Sequence, residues 1–432
     1  MQTYKEAVDW VESLLKFGIK PGLERVEWML EKLDHPERRL KMIHIAGTNG
    51  KGSTLNFLRN ILQEAGQEVG TFTSPYIESF NERIAVNGVP IAEEDFLQLA
   101  NKVRPLVEEC AATELGSPSE FEVITVIVLL YFGTVAYPDL VIMEAGLGGR
   151  LDSTNVIHPI VSIITNVSYD HTAILGDTLS EIAFEKAGII KAGVPVITGA
   201  GGEALEVIKN KAVEKNAPCY KLGKDFSYSN YFIKREGQKF SFRSVFSTKE
   251  DLIVTMKGEH QIKNASLALM TLDYLYFFYG LVVELEHIKA GLKKASVYGR
   301  IEQISDHPLV VLDGAHNPAG MESLANTLKT QYKGTNIHIV FAALNDKDVN
   351  TMLESLYPIA KTITLTTYSH ERALGAEELF KKVNFSNKRM VESPIEAVER
   401  VVKEVGNDQL VVVTGSLYFI SEIREEIKKL VK

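Results

Sequence analysis

From residue 42 onward, short runs of consecutive apolar residues alternate with longer stretches whose apolar positions recur every three or four residues. Short runs that are apolar on both faces suit strands buried in a parallel sheet, and the longer period suits helices laid over it. The pattern predicts strands over 42–46, 68–72, 140–143, 160–165 and 194–198, with helices near 53–65, 120–137 and 178–190. Between 220 and 256 the texture becomes aromatic and polar in alternation, as in Lys239-Phe240-Ser241-Phe242-Arg243, which predicts a small antiparallel appendage with a structural role. A helix over about 264–278 and a polar stretch over 293–300 follow. A second series then predicts strands over 309–312, 338–341, 362–366 and 410–414 and helices near 318–328, 348–357, 376–383 and 394–405. The expected fold class is α/β: an N-terminal domain, residues 1–295, with a mostly parallel sheet and the antiparallel appendage, then a smaller Rossmann-like α/β domain, residues 296–432.

Composition narrows the class of molecule. The 432 residues are 45% hydrophobic and 24% charged, ordinary values for a globular chain with two or three domains. The most apolar run, 123–137, is shorter than the ~20 residues a membrane helix needs and is fenced by Glu120, Glu122, Pro138 and Asp139, so it reads as a buried core helix with no membrane role. The net charge is −9, with about −3 of it from residue 301 onward, so neither part carries the basic excess of a protein that holds nucleic acid. Cys110 and Cys219 are the only cysteines and form no CxxC pair. With an N-terminus lacking an export pattern, they point to the reducing cytoplasm.

The chemistry gathers where predicted strands end, which is where open α/β sheets bind ligands. The first strand runs into Gly47-Thr48-Asn49-Gly50-Lys51-Gly52-Ser53 and then a helix. Glycines let backbone N–H groups converge on phosphate oxygens, Lys51 supplies a cation, and Ser53 supplies a hydroxyl suited to Mg²⁺. The generic P-loop would place Gly at Ile45 and Ser or Thr at Gly52, so the match is to the chemistry and not to the strict pattern. Glu144 ends the strand at 140–143 and is placed to ligate a metal; the plain alternative is a salt bridge. The glycines at 146, 148 and 149 lead into polar residues, which argues against a nicotinamide site. His171 follows the strand at 160–165 as a ligand or proton carrier, and Ser74 follows the strand at 68–72. Ser, Glu and His from three strand ends would leave room for water and phosphate around Mg²⁺. In the second series, Asp313-Gly314-Ala315-His316-Asn317-Pro318 and Thr414-Gly415-Ser416 end two strands; Asn317 before Pro318 also reads as a helix cap.

Taken with Asn81-Glu82-Arg83-Ile84, Phe121-Glu122, Glu185-Lys186-Ala187-Gly188, Gly258-Glu259-His260-Gln261, Asn264-Ala265 and Gly299-Arg300, these motifs span nearly the whole chain. In that order and spacing the chain resembles the folylpolyglutamate synthase and dihydrofolate synthase family, within the Mur-like ATP-dependent amide ligases. The resemblance implies a cytoplasmic, monomeric ligase whose N-terminal part is a P-loop ATPase domain and whose C-terminal part is a glutamate-ligase domain. It further implies that ATP phosphorylates a folate, or a dihydropteroate, carboxylate and that L-glutamate attacks the acyl phosphate, with release of ADP and phosphate. By the same resemblance Asn49, Gly50, Lys51, Gly52 and Ser53 cradle the ATP phosphates. Ser74, Glu144 and His171 hold Mg²⁺. Asn264, Arg300 and Asp313 contact nucleotide from positions that put it between the domains, and Asp313, His316 and Ser416 serve the substrates. Lys51, Lys186, His171 and Glu144 form the catalytic set. Lys186 matches a lysine that the family carbamylates with CO₂; its own surroundings in sequence read only as an exposed helical lysine paired with Glu185 or a neighbour. Many members have His where this chain has Tyr76, which puts the pterin pocket in doubt. No motif decides whether dihydropteroate is accepted. Two other readings are a cell-wall Mur-type peptide ligase, disfavoured because only about 40 residues precede the first strand to hold a UDP group, and a non-catalytic ATP-binding regulator.

Overall fold

Every residue of the apolar run Met42–Ala46 is buried, and the run forms β1 at the centre of an eight-stranded sheet. The structure, a computed structural model, describes residues 1–18 and 20–431. The other strands of this sheet are β2 (Val69–Phe72), β3 (Ile84–Val86), β4 (Val89–Pro90), β5 (Leu140–Glu144), β6 (Val161–Ile164), β7 (Val196–Thr198) and β8 (Cys219–Lys221). Their order is β4-β3-β2-β5-β1-β6-β7-β8. Pairing is parallel from β2 through β8, while β3 and β4 add an antiparallel edge absent from the predicted set. Successive strands lie to one side of β1 as far as β5 and to the other side from β6 onward, so the chain reverses direction across β1. That is the topology in which a ligand crevice opens above the central strand.

The helix predicted over 120–137 is a regular α-helix only over Glu120–Tyr131. A π-turn, Phe132–Ala136, follows, and Tyr137 takes a left-handed φ of 50°. Pro138 is the reason: a residue that precedes proline is pushed out of the helical region. The helix is buried on nearly all sides, as its unbroken apolar run requires. Its charged start is buried too. Ser119 and Glu122 form a capping box, Glu122 pairs with Arg25 at 2.7 Å, and Glu120 pairs with Arg83. No helix among the described residues is long and apolar enough to cross a membrane.

Residues β9 (Phe226–Lys234), β10 (Gly237–Ser244) and β11 (Thr248–Val254) form a separate three-stranded sheet where the alternating texture predicted an appendage. The third sheet contains β12 (Glu302–Asp306), β13 (Leu309–Asp313), β14 (Ile337–Phe341), β15 (Ala360–Leu365), β16 (Lys388–Met390) and β17 (Leu410–Thr414), in the order β12-β13-β17-β14-β15-β16. All its pairs are parallel except β12 with β13. Apolar clusters cover both faces of this sheet, one around Met321, Leu324 and Phe341 and the other around Val398, Phe419 and Ile423. The chain divides into two units: Met1–Phe232, Lys239–Val254 and Ile262–Ala295 make the first, and Ile233–Gln238, Thr255–Gln261 and Ser296–Lys432 the second. The two short segments belong to the second unit through polar contacts. Lys257 donates to Gln303 at 2.7 Å and to the Tyr332 hydroxyl at 2.6 Å, and Gln331 donates to Gln238 at 3.1 Å.

Candidate active site

β1 delivers the chain into Gly47 to Gly50, and the helix Lys51–Glu64 begins at once. The first N–H groups of a helix have no partner within it, and here they crown the central strand of the sheet, where they can receive an anion. Gly52 and Ser53 belong to that first turn. The loop is pinned by the segment after β6. The Asn49 carbonyl accepts the Thr165 hydroxyl at 2.7 Å and the Asn166 amide at 2.9 Å, while the Asn49 N–H donates to Asn166 Oδ1 at 3.0 Å. Thr48 Oγ1 accepts from the Ser168 N–H at 3.0 Å. Two glycines make this closeness possible. A β-carbon on Gly47 would stand 1.8 Å from Thr165 Oγ1, and Gly50 has a φ of 85° with Asn264 Oδ1 only 2.4 Å from where its β-carbon would be. Asn264, on the helix Glu259–Tyr279 and 5% exposed, is therefore set directly against the loop.

Lys51 turns back over the loop. Its Nζ donates to the Gly47 carbonyl at 3.0 Å and lies 3.9 Å from Oε1 of the buried Glu144. Glu144 ends β5 and is in register with Ile45 of β1. Ser74 lies in the loop after β2 and forms a cis peptide with Pro75. His171 lies beyond β6, where it opens the short helix Thr172–Leu175 with a φ of 50°; its N–H donates to Asp170 at 3.0 Å and its side chain is 38% exposed. The strands that carry Ser74, Glu144 and His171 thus flank β1 in the order β2-β5-β1-β6. Among the described residues no three His, Cys, Asp or Glu side chains gather as a metal cluster. The set of one hydroxyl, one carboxylate and one imidazole still fits Mg²⁺, which keeps several waters and takes few protein ligands. Glu144, buried beside Lys51, is a carboxylate of the kind such an ion takes.

Lys186 is not an exposed helical lysine. It is 3% exposed on the helix Leu179–Ala187, and its neighbour Glu185 pairs instead with Arg150 at 2.8 Å. Burial and then the charge of Lys51 pull the Lys186 ammonium down to about 7, with Asp170 and Asp152 pulling the other way. Asp152 is buried and accepts hydrogen bonds from the Leu147 N–H at 2.7 Å and the Thr154 N–H at 3.0 Å. Burial pushes its carboxyl up against the pull of those donors and of Lys51.

In the second unit the loops after β13 and β17 lie side by side, because Asp313 and Thr414 are in register. Asp313 is 6% exposed; its carboxylate accepts the Ile301 and Ala315 N–H groups, each at 2.9 Å. Burial pushes its carboxyl up, opposed first by Arg300 and also by His316. The His316 Nδ1 lies 3.0 Å from the Gly314 carbonyl. Ser416 is buried, accepts the Tyr368 hydroxyl at 2.9 Å and caps the helix Leu417–Leu430. Asn317 caps the helix Pro318–Gln331, as its place before Pro318 predicted. Arg300, Asp313 and His316 are therefore brought together, with Ser416 on the adjoining strand end.

None of Thr165, Asn166, Ser168 and Asp152 is a site residue expected from sequence, although the side chains of Thr165 and Asn166, the backbone of Ser168 and the carboxylate of Asp152 hold the glycine loops. Asn166 had a signal, a polar amide directly after a predicted strand beside the glycine loop.

The sequence matches the Mur ligase middle domain over residues 45–272 and the glutamate ligase domain of Mur ligases over residues 299–417. It is 43% identical to the dihydrofolate synthase/folylpolyglutamate synthase of Bacillus subtilis, over 98% of this chain and 99% of that protein. Among solved structures, folylpolyglutamate synthase from Thermotoga maritima superposes with a TM-score of 0.83 at 37% identity, covering 98% of this chain and 96% of that one. A folylpolyglutamate synthase in complex with AMPPCP and folate gives 0.86 at 32% identity, covering 99% of this chain and 100% of that one.

Proposed function

The chain belongs to the folylpolyglutamate synthase and dihydrofolate synthase family of Mur-type ligases, and from that premise we propose that it joins L-glutamate to folates at the expense of ATP. The observation that carries the proposal is the phosphate loop crowning β1, with Lys51 3.9 Å from Glu144 and with loops from β2, β5 and β6 on either side. A folate carboxylate oxygen attacks the γ-phosphorus of ATP, the bond to the bridging oxygen breaks, and ADP leaves. The glutamate amine then attacks the acyl carbon, phosphate leaves with the C–O bond, and the nitrogen gives up its extra proton to yield the amide. A free carboxylate is a poor electrophile, and phosphorylation turns its oxygen into a good leaving group. Lys51 and the N–H groups of Gly50 to Ser53 neutralise the transferring phosphoryl group, Asn49 completes the cradle tied to Asn166, and Asn264 contacts the nucleotide from beside the loop. Ser74, Glu144 and His171 would hold Mg²⁺, which would neutralise phosphate charge when bound. Arg300 and Asp313 bind nucleotide, and Asp313, His316 and Ser416 hold the amino-acid and folate partners. Their convergence on two adjoining strand ends supports that assignment. A reducing cytoplasm fits Cys110 and Cys219, which are both free thiols.

Lys186 is carbamylated in the working enzyme. Carbamylation requires the neutral amine, which attacks CO₂ and releases a proton, and an amine drawn down to about 7 is substantially neutral at physiological pH. The product is an anion, so repulsion from Lys51 becomes attraction. Incubation with ¹³CO₂ should give a carbamate carbon resonance that is missing in Lys186→Met; the same spectrum from both proteins would exclude the modification.

Mass spectrometry of products from ATP, Mg²⁺ and glutamate, with tetrahydrofolate and dihydropteroate offered separately, tests the ligase. Products heavier by glutamyl residues are expected with tetrahydrofolate, and the dihydropteroate arm decides whether one activity or two are present. ATP bound tightly without any glutamylated product would overturn the reading.

A further inference from the structure

His44 sits in the middle of β1 with none of its surface exposed, a polar ring in a strand otherwise built of Met, Ile and Ala. An ionisable ring at the centre of a parallel sheet needs a reason, because such strands are usually apolar on both faces. Its Nε2 lies 2.8 Å from Thr154 Oγ1, and Thr154 Oγ1 lies 2.5 Å from Asp152 Oδ1. Asp152 Oδ2 accepts the Leu147 N–H at 2.7 Å, inside the glycine loop that follows Glu144. A single chain of hydrogen bonds therefore runs from the centre of the strand that feeds the phosphate loop to the loop behind Glu144. The other ring nitrogen, Nδ1, is buried and has no partner among the described residues.

That orphan atom sets the direction of the chain. If Nδ1 carried the proton, a buried N–H would lack an acceptor, Nε2 would take the Thr154 proton, and Asp152 would lose a donor. If Nε2 carries it, His44 donates to Thr154, Thr154 donates to Asp152, and the carboxylate keeps every donor that surrounds it. The nearby charge of Lys51 favours the carboxylate as well. Burial, and then Lys191, hold the ring down at about 3, so His44 is neutral at physiological pH.

We propose that neutral His44 is a positioning residue, which donates through Nε2–H to Thr154 and so aims the Thr154 hydroxyl at the Asp152 carboxylate that fixes the loop behind Glu144. His44 touches no reacting atom. It acts through Thr154 and Asp152, and its kinetic effect rests on the ligase reading, whereas its protonation pattern does not.

Two measurements test it. Long-range ¹H–¹⁵N correlation of ¹⁵N-histidine-labelled protein, with the His44 signals assigned by their loss in His44→Gln, should show the Nε2–H tautomer. An Nδ1–H tautomer or a doubly protonated ring at neutral pH would overturn the proposal. In steady-state assays His44→Leu and Thr154→Val should each lower kcat about tenfold, a factor typical of one buried hydrogen bond at roughly 1.4 kcal/mol per factor of ten, with KM for ATP within about twofold. The double variant should be no slower than the slower single. His44→Gln, which can place an amide N–H near the Nε2 position, should recover most of the loss. A packing role alone would leave kcat of the folded protein unchanged in His44→Leu, or would make Gln no better than Leu, and either result removes the proposal. If His44→Leu does not fold, Thr154→Val carries the kinetic test alone, and an unchanged kcat there is equally decisive. If the wild-type protein glutamylates no folate, the ligase reading fails while the tautomer still answers for the chain of hydrogen bonds.

Discussion

Lys51 acts in two directions at once. It lies beside Glu144, and its charge also presses on Lys186, which burial already disfavours as a cation. Removing it should therefore separate chemistry from folding. Lys51→Ala is expected to lower kcat by about two to three orders of magnitude, the scale of losing one charge-stabilising group in an active site, while the circular dichroism spectrum stays that of the wild type. ADP release in a coupled assay checks the first part. For Lys186 the sign can be worked through. A lysine whose ammonium is drawn down from 10.5 to about 7 in the folded state is penalised wherever the unfolded chain is protonated and the fold resists the charge. The penalty is complete below about 7, shrinks as the pH rises and vanishes above about 10.5. In CO₂-free buffer, Lys186→Met should therefore be more stable than the wild type at pH 6.5, by a few kcal/mol at most, and melt at a higher temperature, and the gap should close as the pH approaches 10. Scanning calorimetry at the two pH values decides it.

At the scale of elements, the helix Glu120–Tyr131 shows how a charged start can be buried. Glu122 has no exposed side-chain surface and serves both the capping box with Ser119 and the pair with Arg25, whose side chain is 12% exposed. Among the described residues, Glu122→Ala leaves that guanidinium with the Lys20 and Leu115 carbonyls, at 3.2 and 3.5 Å. A loss of about 3 kcal/mol is expected, in the range for breaking a buried pair from one side. The urea midpoint of the transition that contains this helix measures it, and an unchanged midpoint would show that the pair contributes nothing net. The apolar runs made β1, β5, β6 and the strands of the second unit readable, because consecutive buried residues leave a plain mark. The helices Tyr4–Glu12, Glu24–Lys32 and Glu93–Ala111 were not predicted, since their buried residues are spaced among many charges. β12 also escaped, being a short edge strand of half-exposed polar residues. At the site, the glycine loop, Glu144 and Asp313 could be found because glycines and carboxylates at strand ends are conspicuous. Thr165 and Asn166 clamp a loop more than a hundred positions away, and no spacing along the chain encodes such a contact. The burial of Lys186 could not be read from a helical stretch that also contains Glu181 and Glu185.

At the scale of the molecule, a protein of net charge −9 is proposed to bind ATP and acidic folates. Net charge governs long-range encounter, while binding answers to the local field, and Lys51 with the free N–H groups of a helix start supplies a positive field where it is needed. The same contrast between the whole and its parts applies to the division of the chain. Sequence texture places the boundary at 295/296, and we propose the following 137 residues as the glutamate-ligase domain. The unit they form also takes in Ile233–Gln238 and Thr255–Gln261. A fragment cut at 296 would keep Gln303, Gln331 and Tyr332 but lose the Lys257 and Gln238 groups that bond to them. Each such bond is worth about 1 kcal/mol net, so the fragment 296–432 should unfold at lower urea than the same unit in the full chain, by about 2 to 3 kcal/mol. Lys257→Met in the full chain should reproduce roughly half of that shift, because it removes two of the three bonds and returns some apolar packing against Tyr332, whose ring lies 4.9 Å from the Lys257 ammonium. Tryptophan emission would follow the first unit only, since Trp10 and Trp28 both lie there. Far-ultraviolet dichroism, which also follows the second unit, is the measurement to compare. If fragment and full chain unfold together, the two short segments contribute nothing to the stability of the unit, and the boundary at 296 is a complete one.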